Sequence, residues 1–188
     1  MDVFAHGLWS GAIFKAINKK LEGRGRKTLN MKWAVFWGIF PDLFAFAIPF
    51  VWLAYGLITG GLHSSDIPRP AAVEPAVRNH LWAFNLASSL YDIGHSLIVF
   101  AVIFLIVRFV LRRAPWELLA WPIHVLIDIP THSYRFYPTP LFWPVSHWKF
   151  THGFSWADTW FLALNYSAII IVYLILYLRR SKPKPEQT

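Results

Sequence analysis

His124-Val-Leu-Ile-Asp128-Ile-Pro-Thr-His132 sets three ionisable side chains four residues apart in an otherwise apolar run. On a helix, residues i and i+4 share a face, so the spacing predicts one polar stripe. Asp92-Ile-Gly-His95 has the i, i+3 version of this pattern and opens another apolar run. Ionisable groups at membrane depth are costly unless they meet partners. Such a chain is restricted to folds in which the polar faces of several helices turn toward one another. The simplest partner for a mixture of carboxylates and imidazoles is a divalent cation.

The rest of the composition agrees with a membrane setting. Of 188 residues, 56% are hydrophobic, which is too apolar for an ordinary soluble domain of this length. The 11 tryptophans suit a protein with aromatic belts at two interfaces. The net charge of +8 comes from Lys and Arg clustered between apolar runs, so it reads as topology and no nucleic-acid partner is expected. The absence of cysteine excludes disulfides, thiolate metal sites and cysteine nucleophiles. The N-terminal stretch has no basic n-region and carries His6 and Lys15, so it does not read as a cleavable signal.

The expected fold is an all-α integral membrane protein, a bundle of about five membrane helices. One domain covers residues 1–180, and a disordered basic tail covers 181–188. The segments are Asp2 to Ala16, Lys32 to Gly60, His80 to Val110, Trp116 to Ile129, and Trp156 to Leu178. The second holds Pro41 and Pro49, which predict a kink or break. Basic residues crowd the first connection, the third and the C-terminus, whereas Arg69 and Arg78 alone mark the second and Arg135 and Lys149 the fourth. Positive-inside logic then places the crowded connections in the cytoplasm.

Counted at about 1.5 Å per residue from the basic ends, His6, Asp42, His95, Asp92, His124, Asp128 and His132 fall about 12–30 Å into a hydrocarbon core about 30 Å thick. Four segments thus bring ionisable residues to one slab, pointing to a buried cation site. His6, Asp42, His95, His124 and Asp128 are the expected metal ligands; Asp92 and His132 are the expected catalytic groups that complete or tune the site. Mixed His and Asp ligands suit zinc first, with manganese or iron behind it, as one or two ions. The plainer reading of the stripe is polar glue between helices, but three such residues are more than glue requires. Ser96 and Thr131 read as backbone-bonding helix residues, and His147 and His152 as loop residues.

At His6, Pro41-Asp42, His95-Ser96 and His124-x-x-x-Asp128-x-x-Thr131-His132 the chain resembles the YdjM-like family of bacterial inner-membrane, metal-dependent hydrolases. The H-x-x-x-D element is also similar to that of zinc-dependent phospholipase C. The chain departs from the family's pattern at Tyr91-Asp92, where many members carry His-Arg, at Gly94 in place of Thr, and after Asp42, where a second Asp is often found. These departures bear on a second ion.

The resemblance implies a hydrolase in a bacterial inner membrane. With the residues, it leads to the expectation of a multi-pass enzyme whose site faces the outer leaflet. A metal-activated water would cleave a lipid or lipid-linked phosphoester or ester. The alternatives are a ceramidase-like amidase, a metal or proton transporter, and a non-catalytic membrane adaptor. Polar residues thin out toward the basic end, which argues against transport.

Overall fold

A computed structural model describes residues 1–63, 82–133 and 136–179. The regular structure of the described residues is helical, with no strand beyond one isolated bridge between Ser133 and His152. The start of the third expected segment at His80, most of the loop from 60 to 78, Arg135 and the tail at 181–188 lie outside the described residues.

Helix α1 spans Val3–Gly23, longer than the expected Asp2 to Ala16. The apolar run stops at Lys15, but a helix needs no apolar face where it runs along the surface, and it continues for two more turns. Asp2 caps it by accepting the Ala5 N–H at 3.0 Å. Asn18 then closes the turn to the next helix. Its amide donates to the Leu29 carbonyl at 2.9 Å, and its oxygen accepts the Leu29 N–H at 2.8 Å.

Helix α2 spans Met31–Thr59, capped by Asn30, which accepts from Lys32 and Trp33. The expected break is not found, because one helix runs through both Pro41 and Pro49. At 29 residues it is about 44 Å long, more than a bilayer core requires. It is the central element, packing against α1, α3 and α5.

The third expected segment is two helices, α3 (Trp82–Gly94) and α4 (Leu97–Leu111), bent by 61° at His95-Ser96. Ser96 leaves helical geometry and caps α4, accepting from Ile98 and Val99. The Leu97 N–H is taken by Leu141 from a distant loop at 3.0 Å. Gly94 meets α2 closely, where an added Cβ would lie 3.3 Å from the Pro41 carbonyl oxygen.

A single 3-10 turn, Trp116–Leu119, leads into α5 (Ala120–Thr131). Trp121 pins α5 to the bend by donating its indole N–H to the Gly94 carbonyl at 2.6 Å, and it stacks on Trp37 of α2. Helix α6 spans Thr159–Leu178 and packs on α1.

Helices α2 and α6 are long and apolar enough to cross a membrane, and the α3–α4 pair makes a third crossing if it acts as one bent span. The expected count of about five is therefore larger than length and composition show. Helix α5, with 12 residues, is about 18 Å long and falls short of the ~20 residues a crossing takes. The outward surface is apolar: Phe109 is 84% exposed and Ile58 85%. Large apolar side chains exposed in this number suit contact with lipid.

Candidate metal centre

Four elements meet around Asp128. His124 and Asp128 lie one turn apart on α5, Asp42 comes from the middle of α2, and His95 sits at the α3–α4 bend. His124 and Asp128 share a face because their spacing is i, i+4. All four side chains are buried, and each offers one donor atom within 4.8 Å of the other three. They lie close enough to bind one metal ion.

The distances favour a compact coordination shell. His95 Nε2 is 3.1 Å from His124 Nε2, 3.3 Å from Asp128 Oδ2 and 3.6 Å from Asp42 Oδ1. His124 Nε2 is 3.1 Å from Asp128 Oδ2 and 3.7 Å from Asp42 Oδ1. A tetrahedral ion with bonds of about 2.0–2.2 Å sets its donor atoms about 3.3–3.6 Å apart. The observed spacings scatter around that value.

The hydrogen bonds say which faces of the imidazoles are turned inward. His124 Nδ1 donates to the Gly38 carbonyl at 2.7 Å, and His95 Nδ1 faces the Tyr91 carbonyl at 3.2 Å. A carbonyl only accepts, so the hydrogens are assigned to Nδ1 and the Nε2 lone pairs face the centre. Backbone carbonyls of this kind orient histidine ligands. Asp42 Oδ2 and Asp128 Oδ2 are buried with no hydrogen-bond partner. Asp42 Oδ1, at 3.6 and 3.7 Å, is beyond hydrogen-bond reach of both imidazoles.

A shared proton can join two of the four atoms, but Asp42 Oδ1 comes no nearer than 3.6 Å to either imidazole nitrogen. Two carboxylates within 4.8 Å repel by at least about 3 kcal/mol at an effective dielectric near 20. Desolvation adds several kcal/mol per ion. A divalent cation at the centre offsets both costs and meets all four acceptors.

A second group of donors faces the other oxygen of Asp128. Its Oδ1 is 2.9 Å from His6 Nε2 and 3.3 Å from His132 Nε2. The Met1 amino group contacts Asp128 Oδ1 and lies 2.8 Å from His132 Nε2. His6 stacks on His124 with ring centroids 3.5 Å apart, and its Nδ1 has no partner. His132 has left the helix, since α5 ends at Thr131. It still reaches the cluster because its own N–H remains bonded to the Asp128 carbonyl at 2.9 Å.

The end of α5 is held by a returning strap. Phe154 donates its N–H to the Pro130 carbonyl and Trp156 to that of Thr131, both at 3.0 Å, which satisfies carbonyls the helix leaves open. Gly153 crosses the His132 carbonyl so closely that any Cβ would overlap it. His152, in the same strap, is exposed and outside the cluster.

Of the seven expected site residues, six converge: His6, Asp42, His95, His124, Asp128 and His132. Asp92 lies apart from them. It pairs with Lys149 at 3.3 Å on the partly exposed side of α3. Tyr91, one residue earlier and so turned by about 100°, is the one that faces inward. Tyr91 stacks on His95 at 3.7 Å, and its hydroxyl lies 2.7 Å from His132 Nδ1.

Tyr91 and Gly38 contact the cluster histidines at positions that the sequence did not signal. Gly38 supplies the carbonyl under His124, and a Cβ there would overlap the Ser10 side chain of α1. The i−4 relation of Tyr91 to His95 is the one hint that the sequence carries. No family model, curated protein or solved structure matches the chain.

Proposed function

We propose that the chain is a membrane-embedded, metal-dependent hydrolase, with zinc as its preferred ion. The observation that supports this most directly is a set of four buried side chains whose donor atoms lie within 4.8 Å of one another, with one oxygen of each carboxylate lacking a hydrogen-bond partner. Two neutral imidazoles and two carboxylates match the donor preferences of zinc, and the spacing suits four-coordination. Such an ion supplies a Lewis acid and a bound water of lowered pKa.

The chain's own residues supply the rest. Asp42 and Asp128 provide negative charge. Gly38 and the Tyr91 backbone orient the imidazoles. Tyr91 and the neighbouring aromatic rings keep bulk water away. His6 and His132 stand beside Asp128, ready to hold or pass a proton. A centre enclosed by helices with an apolar exterior suits a substrate that already resides in the bilayer, such as a lipid or lipid-linked phosphoester or ester. The resemblance to YdjM-like hydrolases agrees with this reading, and the proposal includes a multi-pass placement in a bacterial inner membrane with the site toward the outer leaflet.

A second ion is favoured by one feature. Asp128 directs Oδ2 to the first cluster and Oδ1 to His6 and His132, as a bridging carboxylate does in two-metal sites.

The test is metal analysis of the purified protein, followed by hydrolysis assays on phospholipids and ceramides beside ion flux in liposomes. Wild type should carry a stoichiometric divalent ion and cleave a lipid, while Asp128→Ala and His95→Ala lose both. A metal-free wild type that the two variants match would reject the reading. Cleavage of ceramide alone would turn it toward an amidase, and flux without hydrolysis toward transport.

A further inference from the structure

At the basic end of the molecule, far along α2 from Asp42, a cavity of about 790 Å³ opens between the start of α2, the end of α4 and the turn at Trp116. Lys27 and Arg113 stand on its lining, and both are exposed. Among the described residues, neither side chain has a hydrogen bond or an ion pair. Trp33 and Trp116 flank the cavity at 54% and 52% exposure. Val107 and Leu111 of α4 form its apolar wall. The one acidic residue on the lining, Glu117, accepts the Asn30 backbone N–H at 3.0 Å, next to the α2 cap.

These parts are layered as a membrane interface is layered. Unpaired cations lie where a membrane-length helix begins, indoles lie beside them, and an apolar wall continues along α4. No residue of α4 is buried within the protein, so that wall is open to an acyl chain. Indoles favour the headgroup level, and basic residues there attract anionic lipid.

We propose that this cavity is a binding site for an anionic phospholipid. Lys27 and Arg113 take the phosphate, Trp33 and Trp116 flank the glycerol region, and one acyl chain lies along Val107 and Leu111. The site shares no residue with the metal centre, so it stands or falls independently of the hydrolase reading. Phosphatidylglycerol fits because its headgroup leaves the phosphate charge uncompensated. Phosphatidylcholine carries its own ammonium and gains little from two more cations.

The full chain in detergent, titrated with dioleoylphosphatidylglycerol or dioleoylphosphatidylcholine and read by native mass spectrometry, tests this. The first phosphatidylglycerol should bind roughly 25-fold more tightly than phosphatidylcholine, at roughly five-fold per cation. Lys27→Gln with Arg113→Gln should remove that preference and leave phosphatidylcholine binding unchanged. Arg24→Gln with Arg26→Gln, in the same connection but outside the cavity, should keep it.

Equal loss in the Arg24 and Arg26 variant would show diffuse attraction and overturn the proposal. Wild-type protein with no preference between the two lipids would overturn it without recourse to any variant. Saturation by inorganic phosphate alone, at the concentrations that suffice for the lipid, would make this a free-anion site and also overturn it.

Discussion

The two oxygens of Asp128 look into different neighbourhoods. Oδ2 faces His95 and His124, whose hydrogens are committed to backbone carbonyls, with Asp42 beyond them. Oδ1 faces His6 and His132, of which His6 has a free Nδ1 and His132 leans on Tyr91 and Tyr137. The first side is rigid and acceptor-rich, as an ion requires. On the second, Asp128 Oδ1 lies 2.9 Å from His6 Nε2, and the Met1 amino group contacts it as well. A single carboxylate thus joins the four-residue cluster to a second pair of imidazoles.

That contrast can be broken most severely at Asp128 itself. Asp128→Asn should lower metal affinity by more than about 100-fold, because it weakens the only group common to both halves. Isothermal titration with zinc after chelation reads this directly; retention of tight binding would remove Asp128 from the centre. Next come the rigid-side ligands. His124→Ala and His95→Ala should each cost about 100-fold in metal affinity, and chelation of wild type should lower the unfolding midpoint by about 5–10 °C. A chelator that leaves the midpoint unchanged would mean the cluster holds no stabilising ion.

The side facing Asp128 Oδ1 should respond less. His6→Ala is expected to preserve one tightly bound ion per chain, and metal counting then decides the number of ions. A fall from two to one assigns His6 to a second ion, while a fall to none would show that the two halves are not separable. Tyr91→Phe removes the hydroxyl beside His132 and should reduce turnover about ten-fold, with the metal content unchanged. Asp92→Asn sits at the bottom of the scale. It breaks a partly exposed pair with Lys149, worth at most about 1 kcal/mol, so activity and metal content should stay within about two-fold of wild type.

The stripe on α5 was legible because i, i+4 spacing is local geometry. Asp42 and His6 could be placed from helix rise alone, since depth along a helix follows from residue number. Which side of α3 faces inward was not legible. The choice between Tyr91 and Asp92 depends on the bend at Ser96, and Leu141 helps to set that bend from far along the chain. The continuity of α2 through two prolines was hidden for a related reason: packing on three sides holds a helix that local propensity would break. The support under His124 left no trace at all, because a carbonyl oxygen is the same in every residue.

That carbonyl belongs to Gly38, where α1 and α2 touch without room for even a methyl group. A Gly38→Ala chain would keep every ligand and still dismantle the centre. Wedging Ser10 outward carries α1, and His6 with it, away from Asp128, while the prop beneath His124 tilts. The vulnerability of this cluster thus extends to a position with no side chain, where the damage would be read as weakened metal binding in a protein that remains helical.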